Sequence, residues 1–259
     1  MSLNGRFREK GGLSLLFPEL VQESQGELDV ALRLDGQWDN PQIGGTVRLT
    51  DAGGYLPGAG ITLQNVSLLA RLDKNVIHID TFRATSGKGE IVGQALVRMK
   101  GKEVESYEGV INGKNFQTVY FPELQVQSSP KLSFSGTSEK LTVRGEVSLP
   151  TIQITGAQPR SSLQASPDVI RKGKRKATNS FSKLPFKLDA QVKMILGDAV
   201  SFQASGIDAQ LGGQIDLKFQ NLDSISGRGE IRVVKGRFRT YGVNLDIVRG
   251  NLFYAGGPI

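Results

Sequence analysis

The 259-residue chain predicts an all-β fold built from one-sided antiparallel strands. Three observations carry that expectation. Apolar and polar residues alternate: Val200, Phe202 and Ala204 are separated by Ser201 and Gln203, and Ile215, Leu217 and Phe219 by Asp216 and Lys218. A period of two sends successive side chains to opposite faces of a sheet. Many of the 32 glycines fall at the ends of these runs, where turns and bulges need small residues. Helical periodicity is almost absent. Only residues 13–22 hold a candidate short helix, as a strand end followed by a helical turn, with Pro18 at a first-turn position and Glu19 at the positive end of the helix dipole.

Taken in order, residues 1–12 are polar and glycine-bearing and are expected to be loose. From Glu27 the alternation is clear, with Leu28, Val30, Leu32 and Leu34 set against Asp29, Ala31, Arg33 and Asp35. Residues 36–41 form a turn by composition. Val47 and Leu49 open a second strand that Gly53-Gly54 and Pro57-Gly58 end. Strands follow at 66–72, 77–84 and 91–99, with Lys74-Asn75 and residues 86–89 as turns. Further strands are expected at 106–112, 124–127, 131–135, 141–149 and 152–155. Turns this short imply antiparallel neighbours, because a parallel crossover takes a dozen residues or more.

Residues 156–183 lack periodicity and contain Pro159, Pro167 and a basic cluster of Arg171, Lys172, Lys174, Arg175 and Lys176. A gap of this length is unusual inside a compact domain and predicts a flexible basic loop. Alternation resumes through Leu184, Phe186, Leu188, Ala190, Val192, Met194 and Leu196. The chain therefore divides into an N-terminal repeat part at 1–155, the loop at 156–183, and a C-terminal part at 184–259 continuous with the same sheet. About sixteen strands exceed what one flat sheet normally holds, so the sheet must curl or fold over. A sandwich, a wide barrel and a curved trough all satisfy this reading.

Composition narrows the function. There is no cysteine and a single histidine, which removes disulfides, thiolate catalysis and two-histidine metal sites. Net charge is +7, much of it local to residues 171–176. No apolar run approaches the ~18 residues of a membrane-spanning helix. No signal peptide is visible, Met1-Ser2-Leu3 reads as an added start, and we expect the chain to be a piece of a longer protein. His78 alternates outward beside Ile77 and Ile79, as a strand histidine facing solvent. Glu103 and Glu105 lie beside Lys100 and Lys102 as turn charges. The glycine-bearing stretches 109–114 and 227–229 lack the strand–helix context of a phosphate loop. Neither an enzyme nor a cofactor is expected. The cluster at 171–176 lacks the interleaved aromatics of a single-strand binder, which argues against nucleic acid. It suits a solvated loop or contact with lipid headgroups.

The apolar face is the feature with functional potential. Its expected lining is Leu188, Val192, Val200, Phe202, Leu211, Ile215, Leu217, Phe219, Ile231, Val233, Leu245 and Ile247. These residues form either a packed core or a continuous surface able to hold acyl chains, and periodicity does not separate the two.

The order of motifs carries a resemblance. Residues 166–170 (SPDVI) come first, then 196–202 (LGDAVSF), 206–213 (GIDAQLGG), 227–231 (GRGEI), 235–245 (KGRFRTYGVNL) and 247–258 (IVRGNLFYAGGP). This resembles the C-terminal domain of the TamB family of Gram-negative envelopes. Upstream, residues 36–45 and 87–90 are similar to that family's looser repeats. The resemblance implies a U-shaped trough with an apolar interior. It also implies a periplasmic segment of a protein anchored in the inner membrane, and a partnership with an outer-membrane barrel of the TamA type. Related bridge-like proteins carry phospholipids along such grooves. Two departures stand out. The family continues past residues 256–258 into further strands, and the resemblance supplies no role for the basic loop. Three functions stay open: a phospholipid conduit, a β-strand-templating chaperone for outer-membrane proteins, and a ligand-free structural repeat.

Overall fold

The computed structural model describes residues 2–7, 20–37, 40–101, 103–156, 186–221, 224–240 and 242–258. They form fifteen strands and, among the described residues, no helix. In chain order these are β1 (Ser2–Phe7), β2 (Gln22–Gln37), β3 (Asn40–Leu56), β4 (Ile61–Asp73), β5 (Val76–Ser86), β6 (Gly89–Lys100), β7 (Glu103–Lys114) and β8 (Phe116–Tyr120). There follow β9 (Leu124–Gly136), β10 (Lys140–Thr155), β11 (Lys187–Ala204), β12 (Ile207–Gln220), β13 (Ile225–Thr240), β14 (Val243–Asp246) and β15 (Asn251–Pro258). All belong to one open sheet, ordered from β1 to β7 and from β9 to β14, with β8 on β9 and β15 on β13. The expected all-β class therefore holds, but residues 2–7, expected to be loose, form β1 and pair with β2. Most of the expected short helix, residues 13–19, lies outside the described residues, and Gln22 already belongs to β2.

The antiparallel expectation needs one correction. β10 and β11 pair in parallel, from Lys140 beside Lys187 to Thr155 beside Gln203. From β2 to β10 and from β11 to β15, paired strands are joined through a turn or one short strand, whereas residues 156–186, between β10 and β11, are enough for a crossover.

Several strands are longer than their breaker residues predict. β9 runs through Pro130 and β10 through Pro150. Pro130 lies opposite the break between β7 and β8, since Asn112 pairs with Lys131 and Phe116 with Ser128. Pro150 sits in a register shift between Leu149 and Thr151. Pro130 keeps Val147 opposite it on β10, and a strand tolerates proline beside such breaks, where fewer ladder bonds depend on its N–H. β3 likewise passes through Gly53-Gly54 to Leu56. Bulges bend the long strands: Asp51 and Asn65 adopt φ of 46° and 49° at the shifts Leu49/Ala52 and Gln64/Ser67.

The main core lies in the N-terminal half, where Val21, Leu28, Leu49, Ala52, Ile61, Val66, Ala84 and Phe116 are buried together. Among the described residues no second layer supplies this burial. Contacts of any extent join hydrogen-bonded neighbours, and β8 alone reaches further, to β4, β5 and β6. The sheet curls so that its own side chains cover one another. At one end β8 abuts the β3–β4 turn, where the Tyr120 N–H donates to the Ala59 carbonyl at 2.8 Å.

Candidate functional site

Residues opposite each other on paired strands point to the same side of a sheet. Register therefore tests whether the candidate lining residues share a face. Val192 stands beside Leu217, Ala190 beside Phe219, and Met194 beside Ile215. Leu188 stands beside Leu141, Val200 beside Ile152, and Phe202 beside Ile154. Across β12 and β13, Leu211 pairs with Val233 and Gly213 with Ile231. Leu245 pairs with Phe238. Ile247 lies outside the ladder, but its N–H donates to the Gly236 carbonyl at 2.8 Å, and its side chain lies where a Cβ on Gly236 would go. All twelve residues are thus brought to one side.

The same side continues beyond the expected residues. From β10 it passes to Val126, Leu132 and Phe134 on β9, then to Ile111 on β7. It proceeds through Ile91 and Val97 on β6, Ile77 and Phe82 on β5, and Leu68 on β4, to Leu49 and Val47 on β3. Sequence reasoning confined the lining to 188–247. The alternation upstream was visible, but pairing order was needed to show that it lies on the same side.

Burial along this face is uneven. Val200 is 3% exposed, and Ala190, Ala209 and Ile215 are also buried. Leu188, Val192, Phe202, Leu211, Leu217, Phe219, Ile231, Val233 and Ile247 are half-buried. Leu245 is exposed. Glycines thin the face at Gly145, Gly213 and Gly229, whose φ values are 140°, 128° and 152°. A Cβ at these positions would collide with the carbonyl oxygens of Lys131, Glu230 and Gln214 on neighbouring strands. Those strands approach more closely than a side chain allows.

The opposite face carries the charges. Arg71 Nη2 donates to Asp80 Oδ1 at 2.7 Å, and Arg83 Nη1 to Glu90 Oε2 at 2.7 Å. Arg144 Nη2 donates to Asp189 Oδ1 at 2.9 Å and Lys140 lies 3.3 Å from Asp189, so both tie β10 to β11. The hydrogen bond from Arg144, then that from Lys140, holds the Asp189 carboxyl below the usual carboxylate range. Arg71 does the same for Asp80. His78 lies opposite Arg71 and Leu96 in this polar register. The cluster Arg171, Lys172, Lys174, Arg175 and Lys176 lies outside the described residues.

The face has neighbours in sequence space. A family model described as the TamB C-terminal domain matches residues 80–259. A curated relative, the translocation and assembly module subunit TamB of Haemophilus influenzae, is 22% identical over 247 residues, covering 89% of this chain and 18% of that protein. The chain therefore spans under a fifth of that relative's length. No solved structure matches it. The family match takes in everything from the middle of β5 to the end of β15, well over half of the sequence, and the chain belongs to the TamB family.

Proposed function

We propose that this chain is a non-enzymatic periplasmic segment of an envelope-biogenesis protein whose apolar face carries phospholipid acyl chains. The sheet acts as a U-shaped trough between inner and outer membranes, with headgroups left at the open rim. The parent protein is held in the inner membrane and works with an outer-membrane barrel of the TamA type. The observation that carries this reading is the apolar register running from β3 to β14, which no second layer covers among the described residues. Acyl chains gain about 0.8 kcal/mol per buried CH₂, so partial burial of one tail offsets much of the cost of extraction. Fixed catalytic groups are unnecessary, because transport needs only continuity of apolar surface.

Mass spectrometry of lipids retained by the purified chain tests the proposal. Phospholipid is expected in wild type. It should be lost from Leu217→Arg and Ile231→Arg, which place a cation among half-buried neighbours while the far-UV spectrum is kept. Lipid-free wild-type protein would point instead to a packed structural repeat.

The open edge at β14 and β15 favours a second reading, a template for strands of outer-membrane proteins by β-augmentation. Proline in β15 would then abolish client binding and leave lipid retention intact. The opposite pattern rejects it.

A further inference from the structure

The polar face handles charge in two ways. Six cations on β4 to β10, namely Arg71, Arg83, Arg98, Lys131, Lys140 and Arg144, each lie within ion-pair distance of a carboxylate on an adjacent strand. β13 departs from this. Ile231 and Val233 take the apolar side, opposite Gly213 and Leu211, so Arg228, Glu230 and Arg232 take the polar one. An extra residue in β13 at the register shift, Val234, resets the alternation. Gly236 and Phe238 then stand opposite Ala209 and Ile207, which turns Lys235, Arg237 and Arg239 to the polar side as well. Five cations and one carboxylate thus share one side of one strand, over about 36 Å at ~3.3 Å per residue.

Only Arg237 is paired, to Asp246 at 3.3 Å. Among the described residues Arg228, Arg232, Lys235 and Arg239 form no ion pair. Asp216 and Asp208 stand opposite Arg228 and Arg237 in register, but neither is within ion-pair reach. Beside the stripe, Phe253 stands opposite Glu230 and is 72% exposed. Tyr254 follows opposite Gly229, in the other register, and Ala255, Gly256 and Gly257 come after it, so Phe253 is the one large ring that the edge strand sets in register with the stripe. An open cleft of about 670 Å³ reaches Arg228 and Arg232 of the stripe and Phe253 beside it, and is lined also by Leu196, Gly213 and Gly229 of the apolar register.

We infer that the polar side of β13 and β15 docks on the surface of an anionic phospholipid bilayer, with the arginines on phosphates and Phe253 in the headgroup layer. Guanidinium groups fork onto phosphate oxygens. Basic residues near an anionic leaflet add attraction that salt screens, and aromatic rings favour the headgroup level. A line of one sign along an exposed edge matches a planar, diffuse partner better than a contoured acidic protein. The site lies on the side opposite the apolar face and does not depend on what that face carries.

Flotation of the chain with phosphatidylcholine vesicles, with and without phosphatidylglycerol, tests the assignment. Binding is expected to require phosphatidylglycerol and to fade with added salt. Arg228→Gln/Arg232→Gln and Lys235→Gln/Arg239→Gln should each weaken it, by about fivefold per charge removed. Arg83→Gln/Arg98→Gln, which removes paired cations, should change it far less. Equal binding to both vesicle types would assign membrane contact to the apolar face and overturn the inference. So would wild-type binding by both β13 variants, which would leave residues 171–176 as the contact. Tighter binding to soluble polyglutamate than to phosphatidylglycerol vesicles would hand the stripe to an acidic protein partner.

Discussion

In β3 and β4 the apolar face closes until Ala52 is 0% and Val66 2% exposed, whereas in β14 and β15 Leu245 and Leu252 keep 55% and 59%. β4 and β14 are both written in alternating apolar and polar residues, and Leu252 of β15 shares the same side through Ile231. What differs is their neighbours. β3 and β4 have strands on both flanks, and β8 closes over their turn. β14 and β15 form a sheet edge with one flank open. Alternation decides which side a residue faces, and position in the sheet decides how dry it becomes.

Charge insertion should break this contrast most strongly. Val66→Asp places an unpaired carboxylate in the closed region and is expected to cost about 3 kcal/mol or more, a large share of a typical 5–15 kcal/mol stability. Urea unfolding followed by circular dichroism reads it directly. Val200→Arg belongs to the same class, because Val200 is 3% exposed, unlike half-buried Leu217 and Ile231.

Next in size are Gly145→Ala and Gly213→Ala. Each forces a side chain into a positive-φ site against a neighbouring carbonyl, at about 1–3 kcal/mol. Similar losses in both would show that strand approach is as tight in the C-terminal part as upstream. A loss confined to Gly145 would show a looser C-terminal sheet.

Leu245→Ser and Leu252→Ser should stay within about 0.5 kcal/mol in the same unfolding experiment, as exposed sites do. A larger drop in either would mean that the edge is covered in solution.

The smallest effect is a pH dependence at the β10–β11 join. Asp189 has a depressed carboxyl pKa in the folded protein. Its contribution is present above the unfolded value near pH ~4 and is lost as pH falls through the folded value. The melting-temperature gap between wild type and Asp189→Asn should be constant above about pH 6 and shrink in acid. A constant gap at every pH would assign the effect to packing.

Much of this was legible in the residues. Leu28, Val30 and Leu32, or Ile215, Leu217 and Phe219, name strand and side by alternation alone. Strand ends were less legible, because Pro130, Pro150 and Gly53-Gly54 are breakers only where a neighbour needs their N–H or side chain. The parallel β10–β11 pair was hidden, since nothing local encodes which distant strand will flank an edge. The stripe on β13 was hidden for a related reason. The bulge at Val234 brings Lys235, Arg237 and Arg239 to the side of Arg228 and Arg232, and an unbroken period of two would have divided them.

The β10–β11 ladder also orders events in time. Arg144 and Asp189 are 45 residues apart, while the ladders within β2–β10 and within β11–β15 close across short turns or one short strand. Loop-closure entropy grows with the logarithm of length, so this join costs roughly 2 kcal/mol more to initiate than a four-residue turn. Non-local pairing of this kind is slow. Two meanders, β1–β10 and β11–β15, can each zip locally, and until they meet both present a bare strand edge. The seam where Arg144 and Lys140 grip Asp189 is thus expected to close last.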